Sequence, residues 1–249
     1  MKKLTQALLF AGVIAPTMMV AAPAMADDAS PVTANVSLVS DYITRGIDQT
    51  NKEMALQGGF DYAHSSGFYV GTWASNITWL KDAGDTGSTS LEVDVYGGFR
   101  GSITDDFGYD VGVLHYDYPS SYMQPSPNTD EIYVAGTYKM FTLKYSQSTT
   151  NLFGWADSKG SGYLDASASF DLGSGFTLGL HAGHQKIKGP FSGASYTDYK
   201  VSVSKALGGG LSVGLAYTDT NADAAGYYTN SFGTNISGSR VIASVSKSF

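Results

Sequence analysis

Cysteine is absent from all 249 residues, which excludes a disulfide framework and thiol chemistry and leaves a packed core or a closed sheet to supply stability. Beyond residue 26 there is also no apolar run approaching the roughly 18 residues that a membrane-crossing helix needs. Bases are scarce: 15 Lys and Arg stand against 22 Asp and Glu, a net charge of −7, which disfavours nucleic acid as a partner. What the chain does have is 30 glycines, 17 tyrosines and 12 phenylalanines, a composition suited to strands and turns.

The first residues read as an export signal. Lys2 and Lys3 precede an apolar stretch from Leu4 to Val20, and Ala24-Met25-Ala26 is a small-x-small cleavage site. Residues 1–26 are therefore expected to be a removed signal peptide, and residues 27–249 a single domain. The cut deletes two lysines and no acid, so the mature chain is still more acidic.

Period-two alternation divides the mature chain into about twelve segments of roughly nine to eleven residues, the length with which a tilted strand crosses a bilayer. Leu91, Val93, Val95 and Phe99 alternate with Glu92, Asp94, Tyr96 and Arg100; Leu164, Ala166, Ala168 and Phe170 alternate with Asp165, Ser167, Ser169 and Asp171. Ala34, Val36, Leu38 and Tyr42 are assigned to the apolar face of the first strand, opposite Asn35, Ser37 and Asp41. In Phe68 to Asn76 both phases carry large residues, so its facing is ambiguous.

Short and long connections alternate. Short ones fall at residues 64–67, 101–106, 139–140, 173–175 and 207–210, and four are bracketed by rings: Tyr62 and Phe68, Phe99 and Phe107, Tyr138 and Phe141, Phe170 and Phe176. The long ones, at residues 46–52, 78–89, 119–130, 149–161, 188–194 and 220–237, are polar. Rings around every second turn and a terminal Phe249 are what a membrane barrel requires, and a secreted β-sandwich has no reason for either. The expected fold is all-β: a transmembrane antiparallel up-and-down barrel of about twelve strands with short periplasmic turns and longer extracellular loops. Phe249 is expected to act as the assembly signal read by the barrel-assembly machinery.

The stretches Ser40-Asp41-Tyr42-Ile43-Thr44-Arg45-Gly46-Ile47-Asp48-Gln49-Thr50, Gln57-Gly58-Gly59-Phe60-Asp61-Tyr62 and Gly67-Phe68-Tyr69-Val70-Gly71-Thr72-Trp73-Ala74-Ser75-Asn76 carry a resemblance, echoed by Tyr116-Asp117-Tyr118-Pro119. They resemble the signature of the TorF-family porins, a proteobacterial group also known as the Gcw conserved hypothetical proteins. The resemblance implies an outer-membrane barrel and small-solute passage, and no particular substrate. Asp48 stands where the family often has Ser, Met54 where Pro is common, and Lys247 where assembly signals favour an apolar residue.

Candidate chemistry is sparse. Glu92 and Asp94 share one face of a strand about 7 Å apart, a spacing compatible with glycoside hydrolysis but equally with a hydrated lumen. His181 and His184 lie three apart on a strand and face opposite sides, which defeats a shared metal site; His181 is expected in the lumen and His184 at the interface. Asp82-Ala83-Gly84-Asp85-Thr86-Gly87 lacks the ligand spacing of a calcium loop and reads as a solvated turn. No cofactor is called for.

The expected pore lining is Asp41, Asp61, Glu92, Asp94, Asp110, Glu131, Asp165, Asp171 and Asp198 with Arg45, Arg100, Lys144, Lys200 and Arg240, together with His181. Across a hairpin closed by residues 46–52, Arg45 would come near Glu53 and Asp41 near Gln57. The excess of acids implies a weak preference for cations. The expected function is a non-enzymatic outer-membrane channel of a Gram-negative bacterium for diffusion or binding of small polar solutes, partnered by outer-membrane lipid. The alternatives are a closed structural or surface-interaction barrel acting through its loops and, more weakly, a barrel enzyme on envelope lipids.

Overall fold

A computed structural model describes residues 30–222 and 226–249; the signal segment expected over residues 1–26 lies outside the described residues. Twelve antiparallel strands close into one barrel. In chain order they are β1 (Val32–Val39), β4 (Ala55–Ala63), β5 (Phe68–Asn76), β6 (Leu91–Ser102), β7 (Phe107–Asp117), β8 (Thr129–Tyr138), β9 (Phe141–Ser148), β10 (Gly162–Gly173), β11 (Phe176–Lys186), β12 (Tyr196–Gly208), β13 (Leu211–Thr220) and β14 (Arg240–Ser248). The labels β2 (Ile43–Thr44) and β3 (Ile47–Asp48) belong to a separate two-stranded hairpin.

Each strand pairs with its sequence neighbour, and β1 closes on β14 with Asn35 opposite Ser248 and Val39 opposite Ser244. The Phe249 N–H also donates to the Ala34 carbonyl at 2.9 Å, so the terminal residue belongs to the seam. Closure leaves no strand edge in need of a partner.

Alternation sorts the two faces. Val95, Val134, Leu180 and Val213 point outward and remain 36–52% exposed, while Glu92, Asp94, Glu131 and Asp165 point inward and are buried. The ambiguous strand β5 resolves with Phe68 and Val70 outside and Tyr69, Gly71 and Ser75 inside. At the short-turn end, exposed rings form a belt: Phe68 meets Phe99 edge-on at 4.9 Å, Phe141 meets Phe170 at 6.3 Å, and Phe249 is 72% exposed. Lys247, on the outward phase, lays its ammonium toward the Gly209 carbonyl and over the Phe249 ring, bringing its charge to the polar rim.

Three expectations near the N-terminus are corrected. Strand β1 stops at Val39, so Tyr42 does not lie on the apolar outer face; it is fully buried inside the barrel. Residues 46–52 are not a solvated outer loop, because the chain turns inward and buries Ile47, Asp48 and Thr50. Arg45 consequently lies on no wall strand. Elsewhere, the connection at residues 78–89 contains a short helix, α1 (Trp79–Asp82), and that at residues 188–194 a 3-10 turn over Gly189–Ala194.

Candidate functional site

Strand register places eight of the inward titratable residues in two slanting rows. One runs Arg100, Asp110, Ala135, Lys144, Asp165, Gly183, Asp198, Thr220 through consecutive cross-strand pairs from β6 to β13. The next runs His181, Lys200, Thr218, Arg240 from β11 to β14. Opposite charges thus become lateral or diagonal neighbours, the arrangement that pins a sheet register. His181 stands between two acids: its Nε2 is 2.7 Å from Asp198 and its Nδ1 is 3.2 Å from Asp165.

Tyrosine hydroxyls dress these acids. Tyr69 donates to Asp110 at 2.7 Å, Tyr96 to Asp61 at 2.7 Å, and Tyr163 to Asp198 at 2.9 Å. Glu92 accepts from both Tyr42, at 2.6 Å, and Tyr118, at 2.8 Å. Sequence reasoning missed these residues because it counted rings for the lipid boundary. The available signal was the inward phase of Tyr69, Tyr96, Tyr133 and Tyr163. A glycine makes room for one of them: a Cβ at Gly183 would overlap the Tyr163 hydroxyl.

The inward hairpin crosses this lumen. Arg45 and Gly46 form its two-residue turn with φ of 48° and 77°, the left-handed pair that a tight hairpin of this twist demands. A Cβ at Gly46 would stand 2.6 Å from that of Asp198, so the turn presses on the far wall where only glycine fits. Arg45, which carries a side chain in a conformation glycine prefers, is held by its contacts. Its two terminal nitrogens grip Glu131 at 2.9 and 2.7 Å, Nη1 donates to Gln185 at 2.9 Å, and the guanidinium lies 4.4 Å from the Tyr163 ring centre. The side chain of Glu131 is 2% exposed, so this is a buried bidentate pair.

The expected partners of Arg45 and Asp41 are therefore replaced. Arg45 reaches β8 and β11 rather than Glu53, because the hairpin enters the lumen. Asp41 sits not at Gln57 but beside the hairpin's own Thr50, with Arg240 3.8 Å away. Burial, followed by the charge of Asp48, pushes the Asp41 carboxyl up to about 7. The hairpin root is tied to the loops: the Asp48 N–H donates to Ile236 and the Thr78 N–H to Gln49, both at 2.8 Å.

Arg45 divides the interior. Toward the long loops lies a vestibule of about 510 Å³, lined by Arg45, Asp48, Glu92, Gln185 and a set of aromatic residues. Beneath lies a chamber of about 50 Å³, lined by Arg45, Tyr116, Lys144, Asp165, His181, Asp198 and Lys200. Thr44, Arg45 and Tyr116 line both, so they form the septum.

The remaining expected lining residues fall as follows. Glu92 reaches the vestibule, whereas Asp94, also expected in the pore lining, is wholly covered. Lys144 stands 4.3 Å from the Tyr133 ring centre and Arg100 4.9 Å from that of Tyr69. Asp171 is exposed at the short-turn rim, where it accepts from the Gly173 N–H. His184 faces outward, as its spacing from His181 predicts. In the loop at residues 82–87, slight burial would raise the Asp85 carboxyl, but hydrogen bonds from Ser121, Gly87 and Tyr122 outweigh it and hold the group below its ordinary value.

With this geometry in view, the chain belongs to the family described as bacterial protein of unknown function, Gcw_chp, whose model matches residues 23–249. None of the curated proteins matches it. Its fold is that of known porins. The KdgM porin superposes with a TM-score of 0.57 at 10% identity, covering 87% of this chain and 99% of that one. The NanC porin superposes at 0.55 and 12% identity, covering 87% and 98%.

Proposed function

We propose that the protein is a porin-type channel of the Gram-negative outer membrane, exported with loss of residues 1–26, that passes small polar solutes by diffusion and performs no covalent step. The observation that carries this reading is the contrast between the faces of the same twelve strands: apolar outside, with a belt of rings, and lined inside by rows of charge. A sheet with that outer surface belongs in lipid, and one with that inner surface holds water. The similarity to the KdgM and NanC porins supports the reading, and one structure of the former is of the protein "in complex with disordered oligogalacturonate". The Arg45 septum lies across the passage between the two cavities.

Planar-bilayer recording tests the proposal. Purified mature protein should give discrete conductance steps, small in the native form and larger in Arg45→Ala. The small chamber below Arg45 favours one second reading, a closed barrel that works through its long loops. Silence of both the native protein and Arg45→Ala would select it.

A further inference from the structure

The outward face of β11 changes character along its length. From mid-strand toward the long loops it reads Leu178, Leu180, Ala182, His184 and Lys186, so an apolar wall gives way to an imidazole and then to charge. The alternation runs one step further: Ile187 is buried and Lys188 exposed, which puts Lys188 on the same side as Lys186 and about 7 Å beyond it.

A third lysine joins them from the neighbouring connection. Gly162 of β10 pairs with Lys186, and Lys159 stands three residues before that glycine, exposed between the buried Ser158 and Ser161. The two connections are pinned together. The Lys188 N–H donates to Ser161 Oγ at 2.9 Å, a Cβ at Gly160 would stand 3.0 Å from the Lys188 ammonium nitrogen, and one at Gly189 would overlap the Asp157 carbonyl. The three lysines are thus carried on closely packed backbone, and none has a carboxylate partner among the described residues.

Other strands end differently. At the same end of the barrel the outward phase reaches Asp117 in β7, Asp130 in β8 and Asp219 in β13, while Gln147 of β9, Gly162 of β10 and Thr197 of β12 are neutral. In a chain with 22 acids to 15 bases, three uncompensated cations therefore collect in one sector, directly above a wall that faces lipid. Like charges held together repel unless an anion lies among them, and at this height the anion at hand is a lipid headgroup. The wall beneath fixes the depth: acyl chains lie against Leu178 and Leu180, so the headgroup lies beside His184 to Lys188. Three cations match a headgroup with more than one phosphate better than a singly charged phosphodiester.

We propose that the sector of Lys159, Lys186 and Lys188 is a binding site for a phosphorylated glycolipid of the outer leaflet, held through its phosphomonoesters. The inference rests on the reading that the long loops face outward from an outer membrane. Binding is measured on folded protein in detergent, so a silent channel leaves it standing and absence of lipid binding leaves the channel standing.

Native mass spectrometry of the mature barrel is the test, with diphosphoryl lipid A, its dephosphorylated form and phosphatidylglycerol as lipids and glucose 1-phosphate as a soluble competitor. Diphosphoryl lipid A should be retained in preference to both other lipids. Lys159→Gln, Lys186→Gln and Lys188→Gln should each weaken it about fivefold, and together on the order of a hundredfold, the scale of one lysine and of three at an anionic lipid surface. Lys52→Gln/Lys81→Gln, which removes two exposed lysines from other long connections, should leave binding unchanged. Heat-modifiable gel migration of each variant shows that the barrel has formed. Equal retention of either other lipid, undiminished binding by the triple variant, a matching loss in Lys52→Gln/Lys81→Gln, or displacement of the lipid by an equal concentration of glucose 1-phosphate overturns the proposal.

Discussion

Arg45 concentrates the questions this molecule raises at the scale of one residue. Its backbone lies in the left-handed region, which for a residue with a Cβ costs on the order of 1 kcal/mol, and its guanidinium is largely taken from water. Both penalties are offset by the bidentate pair with Glu131, the Gln185 bond and the Tyr163 ring. Arg45→Ala should therefore destabilise the folded barrel by roughly 3–5 kcal/mol, since Glu131 is left as an unpaired buried charge. Arg45→Ala/Glu131→Gln should recover most of that loss while keeping a large conductance; urea denaturation in detergent measures the first and bilayer recording the second. Equal stabilities of the single and double variants would contradict the pairing.

Asp41 adds a pH dependence. Its folded-state value of about 7, above the 3.8 of a free carboxyl, means that the docked hairpin holds a proton which the released hairpin gives up. Docking is then fully supported below about pH 4 and weakens as pH rises through 7. The groups facing Asp41 are Asp48 and Thr50 on the hairpin and Arg240 on the wall; the first raises its proton affinity and the other two lower it. Hydrogen exchange of the amides of residues 42–50 should be faster at pH 8 than at pH 5 after correction for intrinsic rates. Asp41→Asn should shrink the difference, leaving the part that burial of Asp48 contributes.

At the scale of the element, strands and hairpin were unequally legible. Period two located the wall strands and their facing because a strand between lipid and water must alternate: Leu164 outside and Asp165 inside admit no other register. It failed where one strand was drawn across a change of direction. Strict alternation stops at Leu38 and gives way to like pairs, Leu38-Val39, Ser40-Asp41, Tyr42-Ile43 and Thr44-Arg45, and the wall strand ends at Val39 while the rest folds inside. The clue was an apolar pair, Ile43 and Ile47, flanking a glycine in a stretch otherwise resembling a solvated loop; Arg at a position needing positive φ masked the turn. The lumen acids were legible, but their tyrosine partners were not, because a Tyr suits either face of a strand.

The facing yields a stability prediction. Arg at Val95, Val134, Leu180 or Val213 should cost about 2–4 kcal/mol near the bilayer midplane, whereas Arg at the inward Ser167 should be far better tolerated. Gly179 is a poorer inward control, for a Cβ there would crowd the Ser202 hydroxyl at 2.5 Å. Folding yield into lipid vesicles, read as heat-modifiable migration, compares the two sets. Indistinguishable yields would mean the faces are misassigned.

For the whole molecule, acids outnumber bases along the lumen, and some of the acids are paired: Glu131 with Arg45, and Asp165 and Asp198 with the one His181 between them. What remains should produce modest cation preference that fades as salt screens the field over about 10 Å at 0.1 M. Reversal potentials across a salt gradient decide this, and an anion-selective channel would refute the charge argument. Glu92→Gln, which removes an acid bordering the vestibule, should lower the preference; Glu92→Gln with unaltered selectivity would place the controlling charges deeper.

The seam between β1 and β14 has a consequence for the order of assembly. The chain's first wall strand pairs with its last, and the hairpin follows directly on that first strand yet grips Glu131 on β8 and Gln185 on β11. Those two grips can form only after the intervening wall has curled round the hairpin, and the wall is complete only when Phe249 meets Ala34. The barrel is thus wrapped about its own obstruction, like a cask raised around a stave already standing inside. Synthesis must finish before the interior can be sealed, and whatever holds the two ends apart also holds the passage open.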